Sequence, residues 1–154
     1  RQFQMLAGGS PVRVRIPLPR PRSIIRGIRM KRDLDLVRSI LIYVENADGE
    51  VDADDMATER WPIETGAYHV RLMAHHGLVD VSRDARDMNG STIELTVSGI
   101  TWDGQDYLDS IREPKVWGRV KKTLAGTVGS TTLDVVRQTA SMVALAMVRE
   151  GLGM

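Results

Sequence analysis

IETGAYHVRLMAHHGLVDV, residues 63–81, decides how the rest of the chain reads. Ile63, Ala67, Val70 and Ala74 fall at i, i+4, i+7 and i+11, with Met73 beside them, which predicts one buried helical face. Trp61-Pro62 opens the helix, since proline suits a first turn. Gly66 weakens it. Gly77 suits the left-handed cap position that stops it, and His75 and His76 lie in the last turn, where cations complement the helix dipole. Leu78-Val79-Asp80-Val81 then reads as a strand with no linker between the two elements.

Downstream, residues 83–90 read as a polar hairpin tip, with Asn89-Gly90 as the turn. Residues 92–97 alternate and return as a second strand. Helix, glycine stop, strand and charged hairpin in this order predict a winged-helix-like unit with a two-stranded wing. Thr101 is expected to cap a helix running to Arg112. Its inner face is Gly104, Leu108 and Ile111, with Trp102 and Tyr107 flanking. Pro114 opens another helix, where Val116, Val120 and Leu124 repeat and Trp117 joins them. Residues 126–129 form a joint, and Ser130 or Thr131 caps a last helix ending near Arg149. Its second half, ASMVALAMV, is apolar nearly all round. Such a helix needs a cover, either its own core or a second subunit.

Upstream, residues 31–46 predict a helix whose stripe is Leu34, Val37, Leu41 and Val44, widened by Leu36, Ile40 and Tyr43. Asp33 and Asp35 sit in its first turn. Residues 45–59 are acidic and invite a calcium-loop reading. The required order of acids before the glycine and a terminal bidentate Glu are not both present. A solvated loop or short second helix is expected there. Residues 1–29 differ in kind, with GGSP at 8–11 and IPLPRPR at 16–22 favouring an extended chain. They can be read as a basic disordered arm, as a transit peptide, or as non-native sequence ahead of a start at Met30. The change in composition favours the last.

The chain has 154 residues, is 42% hydrophobic and 27% charged, and contains no cysteine. These values fit a soluble globular domain and exclude disulfides and thiolate metal sites. Cysteine-free composition fits a reducing cytosol, so a cytoplasmic location is expected. No apolar run reaches the ~20 residues that span a bilayer. The net charge of +1 hides an asymmetry. Residues 1–29 hold seven arginines and no acid, a charge of +7; the remaining 14 basic and 20 acidic residues carry −6. An acidic globular part disfavours nonspecific DNA affinity, which depends on neutralising phosphates.

Three segments together resemble one family: MKRDLDLVRSIL at 30–41, AYHVRLMAHHGLVD at 67–80, and ITWDGQDYLDSIREPKVWGRVKK at 100–122. This is the uncharacterised domain family numbered 2513, found in bacteria and their phages. The chain departs from its pattern at Gln105, where members often have His, and at Tyr107, where they have Phe. The resemblance implies an origin and a fold but no activity. More loosely, the run from His69 through Gly77-Leu78-Val79 to Thr101 and Gly104 is similar to winged-helix regulators of the arsenic- and antibiotic-resistance type.

The expected fold class is therefore α+β and mainly helical, with a winged-helix-like domain over 30–113 and a C-terminal helical extension over 114–154. No nucleophile elbow or phosphate loop is present, so neither an enzyme nor a cofactor is expected. His69 and His76 share a helical face at i, i+7, but a metal site needs three or four ligands and none is expected. Asp103, Asp106 and Asp109 read as a solvated face, as do Lys115, Arg119, Lys121 and Lys122.

Two functions compete. In the first, the central helix meets double-stranded DNA through Thr65, Tyr68, His69, Arg71 and His75, and the wing meets phosphate through Arg83 and Arg86. Glu64 on the same face would repel phosphate. The second is a protein-interaction or accessory module with no nucleic-acid role. The first reading carries an expected homodimer through the C-terminal helices.

Overall fold

The computed structural model describes residues 31–126 and 131–153. The Arg/Pro-rich leader, the joint at 127–129 and the alternative cap Ser130 lie outside the described residues. The described residues from Arg32 onward form one compact unit.

Helix α1 spans Leu34–Asn46. It starts later than the periodicity alone suggests because Asp33 is its N-cap. The Asp33 Oδ1 atom accepts from the amides of Asp35 (2.9 Å) and Leu36 (3.3 Å). A capping residue has non-helical backbone, so the helix cannot extend through it. Leu36, Val37, Ile40, Leu41 and Val44 are buried, whereas Tyr43 is exposed and falls off the expected stripe. Each fully buried Leu, Ile or Val stabilises by roughly 1.5–3 kcal/mol.

The acidic stretch yields a strand that the sequence reading did not anticipate. Strand β1 is only Val51–Asp52, and a 3-10 turn, Ala53–Met56, follows it. Two residues are too few to display alternation, so periodicity cannot detect such a strand. It is held by its partner: Val51 pairs with Val97 and Asp52 with Thr96. The buried Thr96 hydroxyl donates to Asp52 Oδ1 at 2.7 Å.

Helix α2 spans Ile63–His76 and ends at Gly77, whose φ of 82° is left-handed. The Gly77 amide bonds Ala74 O, and Leu78 N bonds Met73 O at 2.8 Å, the double closure that glycine permits. Strands β2 (Val79–Arg86) and β3 (Thr92–Ile100) follow. Half of the residues expected as a tip, 83–86, are strand, and the turn proper is confined to 87–91. There Asp87 Oδ1 accepts from the amides of Asn89 and Ser91, each at 2.9 Å. The sheet is antiparallel with order β1-β3-β2, so the expected two-stranded wing is part of a three-stranded sheet. Register shifts fall on both sides of Val81 and between Ala85 and Arg86.

Helix α3 spans Trp102–Ile111 with Thr101 as N-cap. Thr101 stitches the end of α2 to the start of α3. Its Oγ1 accepts from Gly104 N (3.0 Å) and donates to Gly77 O, and its amide bonds Leu78 O (3.1 Å). A Cβ at Gly104 would lie 2.0 Å from Leu78 O, so only glycine allows this approach. The Gly77-Leu78 and Thr101-x-x-Gly104 patterns are thus two halves of one joint. Tyr107, expected at the flank of α3, is buried, and Trp102 is exposed.

Helix α4 spans Pro114–Ala125, and α5 spans Leu133–Gly151, capped by Thr132 rather than by Ser130 or Thr131. Helix α5 packs against α4 and α3. The molecule is α+β and mainly helical, with one core shared by α1, α2, the inner face of the sheet and the later helices. Among the described residues no helix is long and apolar enough to cross a membrane.

Candidate functional site

The expected DNA-facing side chains do not form one free surface. His69 is 1% exposed, so it belongs to the core and not to the outer face of α2. Its Nε2 accepts from the Asp33 amide at 2.8 Å, and its Nδ1 lies 2.8 Å from Thr65 O. Accepting at Nε2 places the proton on Nδ1, which then donates to the Thr65 carbonyl. Asp33 also takes the Trp61 indole N–H on Oδ2 at 3.0 Å. One residue therefore caps α1, receives Trp61 and seats His69. Tyr68 stacks edge-on against the His69 ring, with centroids 5.4 Å apart.

The cations of this region are engaged by acids. Arg71 grips Asp84 of β2 with Nη2 at 2.8 Å and Nε at 3.1 Å, a bidentate pair. The hydrogen bond from Arg71 holds the Asp84 carboxyl below its ordinary range. Arg83 donates to Glu94 across the hairpin at 3.0 Å, and Arg86 lies 4.0 Å from Asp84. Glu64 is a brace, accepting from the Thr92 amide (2.9 Å) and hydroxyl (3.1 Å) at the start of β3. Thr65 is half-buried. His75 is exposed and lines a cavity of about 300 Å³ with Arg32, Leu72, His76, Leu78 and Leu133.

Among the other polar groups singled out by the sequence, Asp109, Arg119 and Lys121 are structural braces, and Asp103, Asp106, Lys115 and Lys122 are exposed. Lys121 reaches Asp35 at 3.1 Å, and Arg119 reaches Glu150 at 3.2 Å. Asp109 pairs with Arg112 at 2.7 Å, and Arg112 also grips Glu45 of α1. Gln105, at a family His position, has a polar task of its own, donating to Glu45 Oε2 at 2.9 Å. Among the described residues no three His, Asp or Glu side chains gather to hold a metal ion.

A second surface went unassigned at the level of single residues. Helix α5 turns Leu133, Val136 and Ala140 into the core, with Val143 and Met147 packed against it. Its opposite side presents Met142 (70% exposed), Leu145 (59%), Val148 (57%) and Leu152 (66%) to solvent. The signal in the sequence was the apolar second half of the helix. Which side the core covers follows only from tertiary packing.

The architecture and its surfaces define a mainly helical α+β domain whose largest helix carries an uncovered apolar side. The chain belongs to the hypothetical-protein family DUF2513, whose sequence profile matches residues 31–130. It is similar to an uncharacterised protein of Haemophilus influenzae, 32% identical over 117 residues, which are 74% of this chain and 95% of that protein. No solved structure matches the chain.

Proposed function

We propose that this domain acts through protein contact, with the outer side of α5 as its docking element, and not by reading duplex DNA. The observation that carries the reading is the apolar stripe of Met142, Leu145, Val148 and Leu152, held in solvent by a helix whose other side is anchored in the core. Contiguous exposed apolar surface on a soluble domain marks an interaction site.

The competing reading keeps the winged-helix order of helix, glycine exit, hairpin and capped helix. It needs free cations on α2 and the hairpin, and Arg71, Arg83 and Arg86 each face a carboxylate. A helix-turn-helix also sets a full helix ahead of the recognition helix to cross the DNA backbone. Here that place is taken by the four-residue turn Ala53–Met56. The −6 carried outside the leader adds repulsion from phosphate.

The deciding experiment is a titration of labelled mixed-sequence duplex with the full chain at low salt, repeated as salt rises. The expected result is no saturable binding. A steep log–log salt slope, about −0.9 per phosphate neutralised, that shrinks in an Arg83→Ala, Arg86→Ala variant would overturn the proposal in favour of a DNA-binding wing.

A further inference from the structure

We infer that the occupant of the α5 surface is a second copy of α5, packed antiparallel about a two-fold axis between positions 143 and 144. The inference rests on the protein-contact reading above and names its partner. Six positions lie along the outer side: Val135, Gln138, Met142, Leu145, Arg149 and Leu152, all exposed. Their intervals are three, four, three, four and three. That is the seam spacing of a two-stranded coiled coil, and it reads the same from either end. Reversal about the stated axis sets Val135 against Leu152, Gln138 against Arg149, and Met142 against Leu145. An isologous interface requires this self-complementarity, because each copy supplies both members of every pair.

Chemistry and charge agree with that occupant. Residues 138–148, QTASMVALAMV, contain no charged side chain, so the centre of the surface offers a charged partner nothing to pair with, and Arg149 is the one charge among the six seam positions. A second copy presents the same uncharged stretch. At each end Gln138 can accept from the Arg149 guanidinium, a polar pair that fixes register, while the two helix dipoles run opposed. The hydroxyls beside the seam are already satisfied. Thr139 Oγ1 donates to Val135 O at 2.8 Å and Ser141 Oγ to Arg137 O at 3.0 Å. Covering them strands no polar group, which removes the usual penalty for burying a serine or threonine.

The test uses the full chain in sedimentation equilibrium across a dilution series, with two sets of variants. The expected species has twice the 17.1 kDa chain mass. Leu145→Glu, at a solvent-facing position, should weaken the dimer at least ~tenfold, as loss of a central anchor does, with an unchanged circular dichroism spectrum. The native chain has no cysteine, so engineered ones report geometry cleanly. Gln138→Cys with Arg149→Cys should give a covalent dimer on oxidation, and neither single variant should. The two positions lie ~16 Å apart within one helix, too far to close on themselves. A mass of one chain at every concentration would overturn the inference, as would a dimer unmoved by Leu145→Glu or cross-linking by the single variants. A monomer that also ignores duplex DNA would discard the second copy alone. Saturable duplex binding would discard the protein-contact reading on which it stands.

Discussion

Tyr107 sits at the centre of the core with its ring 1% exposed, and its hydroxyl finds no hydrogen-bond partner among the described residues. Burial pushes the phenol pKa well above its ordinary value. An unsatisfied buried hydroxyl costs about 1–3 kcal/mol, so Tyr107→Phe should leave the melting temperature unchanged or raise it, which thermal unfolding reads directly. A loss of several degrees would show that the hydroxyl is bonded. His69 is the opposite case, since both ring nitrogens are used. Gly77, Asn89-Gly90 and Thr101 were legible in the sequence because their conformational needs are local. The burial of His69 was not. Its acceptor nitrogen is committed to an amide 36 positions away, and a helical wheel cannot show that.

At the scale of elements, long-range braces set how helices meet. Glu45 near the end of α1 takes the Arg112 guanidinium, with Nη2 at 2.7 Å from Oε2, while Arg38 caps the end of α3 by donating to Ile111 O and Arg112 O. The hydrogen bond from Arg112 lowers the Glu45 carboxyl from an ordinary 4.5 to about 2. A depressed folded-state pKa means that the unfolded chain binds the proton first. The stabilisation is therefore complete above 4.5 and is lost as pH falls toward about 2. The pair is partly exposed, so its contribution is about 1 kcal/mol or less. Urea unfolding should show Glu45→Gln destabilised at neutral pH, with the gap to wild type closing near the acid end of that window. An equal gap at both ends would refute the linkage. Helices with a clear stripe were legible at this scale, within a few residues at their ends. Strand β1 was not, because two residues carry no period and its existence depends on β3. The extension of β2 through Arg86 was hidden likewise, since its alternating charges are paired across to Glu94 and back to α2.

At the scale of the whole molecule, two surfaces are candidates for use. One is the side of α2 and the hairpin, where cations and acids neutralise each other. The other is the outer side of α5, which is apolar, uncharged at its centre and self-complementary in spacing. The sequence showed that the second half of the last helix is apolar nearly all round and needs a cover, either its own core or a second subunit. It could not show that the core consumes Leu133, Val136 and Ala140 and leaves Met142, Leu145 and Leu152 behind. The measurement that most directly separates the surfaces is a dilution series of the full chain followed by backbone amide chemical shifts. The account predicts concentration-dependent shifts centred on residues 135–152, with the amides of α2 and the hairpin unchanged. Shifts confined to α2 and the hairpin, or a spectrum that does not change with concentration, would contradict it.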